Sequence, residues 1–301
     1  MDRRQVRAWV AYDWANSAFA TTMMAAVMPV FYGSVAGAGL ADGQPAIYWS
    51  YTQTIAMLFV AVLAPILGAV ADYRGAKVKF LSVFALVGAL ASMASAMVGE
   101  GDWLLASCLV VIGTIGFSGG NTFYDALLAD LVPAERRDAV SARGYALGYL
   151  GGGLLLAVNV AMIEGWELFG FPSKTAATQT VFVTVGVWWL LFALPLARRV
   201  KDAPRNRDMP ILGAVRAGLK RNMETLRRIR RYPQLSKYML AFWFFNDGIN
   251  TIIVMATAYG ESIGIGTTHL IVALLVTQFV GYPSTLAFGR LAVRLGSKQA
   301  L

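Results

Sequence analysis

Long apolar stretches alternate with short polar segments along the whole chain. Stretches without a charged residue cover 14–41, 43–71, 80–98, 103–124, 144–163, 175–197, 248–260 and 270–289. A run of about 18 apolar residues is long enough to cross a bilayer as a helix, and seven of the eight stretches reach that length. The remaining stretch, 248–260, reaches it when Asp247 is counted within the helix. The pattern therefore predicts eight membrane-spanning helices.

Composition supports an all-α integral membrane protein. Hydrophobic residues make up 57% of the chain and charged residues 14%, whereas a soluble domain carries about 25% charged residues. The sequence contains no Cys and His set with metal-ligand spacing, no phosphate-binding loop after a strand and no nucleophile beside a base. Because these are the usual sequence signs of a metal site or a catalytic centre, we predict neither an enzyme nor a cofactor or metal.

The formal charge of +9 could indicate binding to nucleic acid, but the distribution of the charge argues against it. The N-terminus and alternate polar segments hold 25 of the 26 Lys and Arg residues, and the other segments hold only Lys174. Short loops rich in Lys and Arg stay on the cytoplasmic side of a membrane. We therefore predict that the N-terminus and the segment containing Lys77 are cytoplasmic, that Lys174 is outside, and that nucleic acid is not a partner.

The predicted helices fall into two groups joined by a basic linker. Residues 1–197 form a six-helix group, 198–237 the linker, and 238–301 the start of a second group. The linker has 13 basic and 3 acidic residues. It holds an apolar stripe at helical spacing, Leu212, Val215, Leu219, Met223 and Leu226, flanked by the cations Arg216, Lys220, Arg227 and Arg228. This pattern fits either an amphipathic helix on an anionic lipid leaflet or a solvated linker.

Two features recur in the same order in both groups. Asp13 and Asn16 have the spacing of Asp247 and Asn250, at an offset of 234. The segment GAVADYRGAKVK, residues 68–79, has an approximate echo in GRLAVRLGSK, residues 289–298, at an offset of 221. Such a repeat predicts a parallel duplication of six-helix halves. We expect a transporter whose last four helices lie beyond Leu301, with a natural eight-span protein as the alternative.

The polar segment after the second predicted helix resembles the loop signature of the major facilitator superfamily. The residues that carry the resemblance are Gly68, Asp72, Arg74, Gly75 and Lys77. By this resemblance, Asp72 and the cations form a latch that holds the cytoplasmic ends of the two halves together when the site faces out. Tyr73 stands where the superfamily usually has a cation, and Val293 replaces the Asp in the second copy.

Three longer segments are more specific. YDWANSAFATTMMAAVMPVFY, YDALLADLVP followed by SARGYALGYLGGG, and FFNDGINTIIVMATAYG together resemble the vacuole effluxer-like branch of that superfamily. The resemblance implies the major facilitator fold, here a six-helix bundle followed by the first two helices of a second bundle. Bacterial members of the branch are permeases, so we expect a permease in a bacterial inner membrane. We also expect a monomer, which the resemblance does not itself imply. Fungal members of the branch export amino acids from the vacuole.

Three carboxylates, on Asp13, Asp125 and Asp247, lie in or close to the predicted hydrocarbon region. An unpaired carboxylate there costs at least about 2.5–3.5 kcal/mol, so it faces a cavity or a partner. By resemblance, the first, fourth and seventh helices that carry them line the central cavity. We expect Asp13 and Asp247 to bind substrate or a proton, and Asp125 to make a structural contact, with Arg143 within reach.

Amides and glycines complete the candidate residues. Asn16, Asn121 and Asn250 could bind an amino or carboxyl group, or could join helices by hydrogen bonds. On the fifth predicted helix, one face carries Gly144, Gly148, Gly151 and Gly152. Small residues at this spacing allow two membrane helices to approach backbone to backbone.

The predicted function is secondary active transport of a small polar solute, amino acids first, by alternating access, with a proton as a possible coupling ion. An alternative is a proton-coupled exporter of amphipathic drugs, which predicts a cavity richer in aromatic residues and poorer in amides. A membrane sensor that keeps the fold without transport is a second alternative. Intramembrane carboxylates in both groups of helices favour transport over sensing.

Overall fold

The computed structural model describes residues 2–202, 210–229 and 231–296, and most of them are helical. In chain order the helices are α1 (Arg3–Ala36), α2 (Gln44–Arg74), α3 (Lys77–Ala94), α4 (Trp103–Leu131), α5 (Ala134–Glu164), α6 (Lys174–Arg199), α7 (Ile211–Ile229), α8 (Pro233–Ser262) and α9 (Thr267–Leu295). Within this part of the chain, all of them except α7 are long and apolar enough to span a membrane. The protein is therefore a multi-pass, all-α membrane protein, as its pattern predicts.

The polar connection after α2 is much shorter than the sequence suggested. Helix α2 continues through Gly68 and Asp72, and α3 already begins at Lys77. Gly75 ends α2 in the left-handed conformation, with φ of 61°, and its N–H donates to the carbonyl of Ala71. A glycine adopts this conformation without the steric cost of a side chain. The polar segment that follows the second apolar stretch is therefore largely helical, and only Gly75 and Ala76 connect α2 to α3.

The second copy of this segment ends in a similar way. Helix α9 runs through Gly289 and ends at Leu295, where Gly296 caps it with φ of 82°. Gly296 stands 221 positions after Gly75, which is the offset of the sequence repeat. Lys298 lies outside the described residues. Two glycines at the same offset thus end corresponding helices with positive φ.

The fifth predicted helix also begins earlier than expected. Pro133 follows the end of α4 and is at the same time the N-cap of α5, which begins at Ala134, ten residues before the apolar stretch 144–163. Proline is well suited to this end of a helix, because the first turn has no carbonyl partner for its missing N–H.

Helix α1 occupies the centre of the first bundle. It packs mainly against α5 and α6, and its side chains are the most thoroughly buried of the spanning helices. Between Phe19 and Ala26, and again between Tyr32 and Ala36, its backbone is π-helical. A π-helical turn widens the helix and is frequent at functional sites.

Helices α8 and α9 join this bundle differently. Along α9, Gly281 and Gly289 pack closely against Tyr149 and Ala142 of α5. Helix α8 instead touches the bundle near its carboxyl end, where Thr257 donates to the carbonyl of Ala25. Residues 237–253 of α8 are exposed. The structure therefore leaves the amino-terminal half of α8 separated from the first bundle.

The charge distribution predicts the orientation of these helices in the membrane. Lys79 and Lys174 are both exposed and lie at opposite ends of the bundle. In a Cys108→Ser background, an impermeant thiol reagent added to intact cells should label Lys174→Cys and leave Lys79→Cys unlabelled until the membrane is opened. Labelling of position 79 from outside would reverse the assigned topology.

Candidate functional site

A buried polar cluster forms where α1, α4 and α5 meet. Asp13 and Asn16 of α1 are three residues apart, so they project from the same face of the helix. Asp13 is 7% exposed and Asn16 is 1% exposed. The Nδ2 atom of Asn16 donates a hydrogen bond of 2.6 Å to Oδ1 of Asn121 on α4. Two of the predicted amides are therefore brought together beside the predicted carboxylate.

Aromatic side chains enclose this cluster. The indole Nε1 of Trp9 donates to the carbonyl of Tyr124 at 2.8 Å, and the rings of Trp9 and Tyr124 stack with centroids 4.2 Å apart. The ring of Tyr12 lies 5.3 Å from that of Tyr124. These contacts fix α1 against α4 and exclude water from one side of Asp13.

The Asp13 carboxylate is buried without a cation. Its Oδ2 atom accepts no hydrogen bond in the structure, and none of the ion pairs among the described residues includes Asp13. Removing a carboxylate from water costs several kcal/mol unless a partner compensates. Such a group is therefore suited to binding a proton or a cationic substrate group.

Asp125 lies one helical turn beyond Asn121 and is near enough to Asp13 for an electrostatic interaction. Its side chain is exposed at the edge of the cluster. Within the described residues, no ion pair joins Asp125 to Arg143. The structural contact expected for Asp125, with Arg143 within reach, therefore remains a prediction.

The four glycines of α5 face α1 directly. A Cβ atom at Gly148 would lie 2.6 Å from Oγ of Ser17, and one at Gly151 would lie 2.7 Å from the ring of Trp14. An added Cβ at Gly152 would lie 2.8 Å from Thr21, and one at Gly144 would lie 2.8 Å from Tyr124 of α4 and 3.2 Å from Trp9 of α1. Real Cβ atoms do not come this close to their neighbours, so α1 and α5 could not approach as they do with larger residues.

The corresponding residues of the second group are placed elsewhere. Asp247 is at the middle of the span Pro233–Glu261 and its side chain is exposed. Asn250, also exposed, donates to the carbonyl of Asn246 in its own helix. The structure does not bring this pair to Asp13, and a cavity shared by the two motifs remains a prediction.

The predicted latch residues form an ion-pair group at the end of α2. Lys77 is 9% exposed, and its Nζ atom lies 3.5 Å from Asp72 and 2.8 Å from Asp130 of α4. Gly68 lies one turn before Asp72 in α2. The side chain of Arg74 lies outside the described part of the chain. Both carboxylates that pair with Lys77 belong to the first bundle. A latch that joins the two halves therefore remains a prediction.

Several residues of the polar cluster at Asp13, and one at the beginning of α3, were not predicted from the sequence. Tyr12 and Tyr124 each precede an aspartate, so the repeated dipeptide Tyr-Asp was an available signal. Asp202 was also missed, although its carboxylate accepts from the backbone N–H groups of Val78 and Lys79 and so caps α3. No local pattern could identify Asp202, because its partner is 124 residues away.

Comparison with known proteins agrees with this architecture. The proton:xylose symporter XylE bound to 6-bromo-6-deoxy-D-glucose superposes with a TM-score of 0.61 over 97% of this chain and 67% of its own, at 16% identity. At that identity, the likeness concerns the fold alone. The fold is therefore that of the major facilitator superfamily.

Sequence relatives narrow the assignment. A family model described as vacuole effluxer Atg22 like matches residues 44–300, and the chain belongs to this family. A Bacillus subtilis protein named as an uncharacterized MFS-type transporter, YxiO, is 39% identical over 99% of this chain and 70% of its own length. Autophagy-related protein 22 of Eremothecium gossypii is 25% identical over 76% of this chain and 48% of its own length.

The contact between α1 and α5 predicts the effect of enlarging the glycines. Gly148→Leu and Gly151→Leu should each destabilise the protein by about 1–3 kcal/mol, because the added atoms overpack the contact. Thermal unfolding of the purified protein, together with the yield of monodisperse material, measures the effect. Gly248→Leu is the matched control, since a Cβ at that position would meet nothing within 4 Å. Unchanged unfolding in all three variants would show that the face does not pack tightly.

Proposed function

We propose that the chain forms part of a secondary active transporter that moves small polar solutes, amino acids first, by alternating access. The observation that carries this proposal is the buried, uncompensated carboxylate of Asp13 beside the hydrogen-bonded amides of Asn16 and Asn121. A carboxylate recognises an amino group, and amides can bind a carboxylate or a second amino group. The family to which the chain belongs supports a transported solute.

Alternating access is supported by the unequal contacts of α8. Near the carboxyl end of α8, the carbonyl of Val254 accepts a hydrogen bond of 3.4 Å from the indole of Trp49 on α2. Thr257 of α8 donates to the carbonyl of Ala25 on α1. The preceding half of α8 is exposed. With the N-terminus in the cytoplasm of a bacterial inner membrane, these contacts lie at the outer end of α8. A rocking of the helix groups would exchange these contacts for others at the cytoplasmic end.

A second candidate function is favoured by the aromatic side chains around Asp13. Trp9, Tyr12 and Tyr124 form an aromatic wall beside the carboxylate, and aromatic faces with an anion suit an amphipathic cation. All three rings are almost fully buried and packed on one another. Because buried rings offer little free surface to a ligand, this arrangement favours a packing role, and the polar-solute proposal stands first.

Counterflow in proteoliposomes tests the proposal with the complete protein. Vesicles loaded with an unlabelled solute take up the labelled solute when a carrier exchanges the two. We expect exchange with at least one amino acid of a standard panel, and additional accumulation when a pH gradient is applied. Exchange with lipophilic cations alone would favour the second candidate, and exchange with neither class would contradict transport of these solutes.

Changes to the aspartates of the two Asp-x-x-Asn motifs should reduce proton-driven uptake and leave solute exchange intact. Asp13→Asn and Asp247→Asn should each lower pH-driven uptake by about tenfold or more, a loss of about 1.4 kcal/mol, because neither amide can carry the coupling proton. Exchange at equal pH should persist in both variants. Asp125→Asn is the control and should retain both activities. Full gradient-driven uptake with an unchanged pH profile in Asp247→Asn would make that residue structural.

The ion pairs of Lys77 predict an effect on rate. Asp72 lies 3.5 Å from Lys77 and is half-exposed, so its charge can bias a conformational equilibrium without touching solute. Asp72→Asn should therefore change the transport rate by severalfold while solute binding stays within about twofold. Asp42→Asn, an exposed change in the connection between α1 and α2, is the control. Unchanged rate with weakened binding would refute the latch.

A further inference from the structure

The linker helix α7 carries an apolar stripe that the described helices leave uncovered. Leu212 is 79% exposed, Leu219 is 44% exposed and Met223 is 53% exposed. All three recur at intervals of seven and four residues, so they share one face of the helix. An exposed apolar stripe along one face of a helix is typical of a contact with a protein or a membrane.

The contact between α7 and α2 places this stripe at the level of the membrane surface. Gly218 packs against Ala69 of α2, and an added Cβ at Gly218 would overlap the Ala69 side chain. Ala69 lies three residues before Asp72, where the apolar span Gln44–Asp72 ends. Three residues correspond to about 5 Å of helix. The contact therefore holds α7 close to the boundary between hydrocarbon and water.

The face of α7 that contacts α2 through Gly218 differs from the face that carries the apolar stripe. Successive residues turn by about 100° around a helix, which places the centre of the stripe about 100° from Gly218. The side opposite the stripe is polar and includes Arg221, Glu224 and Arg228. Helical geometry thus places Arg228 opposite the stripe and not beside it, in contrast to its expected place among the flanking cations. Contact with α2 and contact of the stripe with a bilayer can therefore exist at the same time.

Cations lie beside the stripe on the side away from α2. Arg216, Lys220 and Arg227 are all exposed, and none belongs to an ion pair among the described residues. Glu224 is the only acidic residue between Ile211 and Ile229. Long cationic side chains at this position can reach phosphate groups while their stems cover apolar surface. Charge complementarity therefore selects an anionic lipid surface over a neutral one.

We propose that α7 binds anionic phospholipid at the leaflet reached by the carboxyl end of α2. Leu212, Leu219 and Met223 enter the acyl boundary, and Arg216, Lys220 and Arg227 bind headgroup phosphates. Gly218 fixes the helix to α2 beside Asp72, so lipid binding occurs next to the ion pairs of Lys77. This role belongs to the linker and is separate from the solute site at Asp13.

A probe on the stripe tests the contact in the full chain. Leu212→Cys in a Cys108→Ser background is labelled with an environment-sensitive fluorophore and placed in nanodiscs of phosphatidylcholine, with or without phosphatidylglycerol. We expect a blue-shifted emission that headgroup-proximal spin-labelled lipids quench, increasing with the anionic fraction. A probe that stays in water at every lipid composition overturns the proposal, whether the stripe then meets a protein or nothing.

Two double variants of equal net charge distinguish the two possible sources of the lipid preference. One source is the cationic flank, formed by Arg216, Lys220 and Arg227, and the other is the total charge of the linker. Lys220→Gln with Arg227→Gln should weaken the preference for phosphatidylglycerol by about 25-fold, at about fivefold for each cation. Arg228→Gln with Arg231→Gln removes the same charge outside the flank and should change the preference by less than about fivefold. Equal losses in both variants would show that only total charge matters and would refute the assigned flank.

Discussion

The close contact between α1 and the glycine face of α5 is the constraint on which the first bundle depends. It brings the backbone of α1 so near to α5 that an added Cβ at Gly148 would meet Ser17 and Asp13. Because of this approach, polar side chains of α1 are enclosed by helices rather than by lipid. The buried carboxylate of Asp13 is thus a consequence of small residues on a neighbouring helix.

The spanning helices could be predicted because their signal is local. An apolar run matches the thickness of the bilayer, and every backbone polar group within it must bond inside the segment, which leaves a helix as the only solution. The ends were less predictable. Charged residues such as Asp72 look like loop residues in the sequence, yet the helix ends only at Gly75, where the backbone takes a positive φ.

The site was predictable in part for the same reason. Asp13 and Asn16 share a face through helical geometry alone, whereas the contact of Asn16 with Asn121 depends on the depth of α4 relative to α1. That register is set by packing across 105 positions of sequence. Asp125 shows the limit of such reasoning, because its depth in the membrane suggests Arg143 as a neighbour but does not specify a contact, and the ion pairs among the described residues do not join the two.

The two copies of the Asp-x-x-Asn motif lie in unlike surroundings. Asp13 is enclosed by aromatic and glycine residues, whereas Asp247 is exposed at the middle of its span. A carboxylate in hydrocarbon at that depth costs at least about 2.5–3.5 kcal/mol and cannot reach the surface. The face of α8 that carries Asp247 therefore turns toward water or protein. Only a water-filled space or a polar partner meets that requirement. The same sequence motif therefore supplies a desolvated carboxylate on α1 and a hydrated or paired carboxylate on α8.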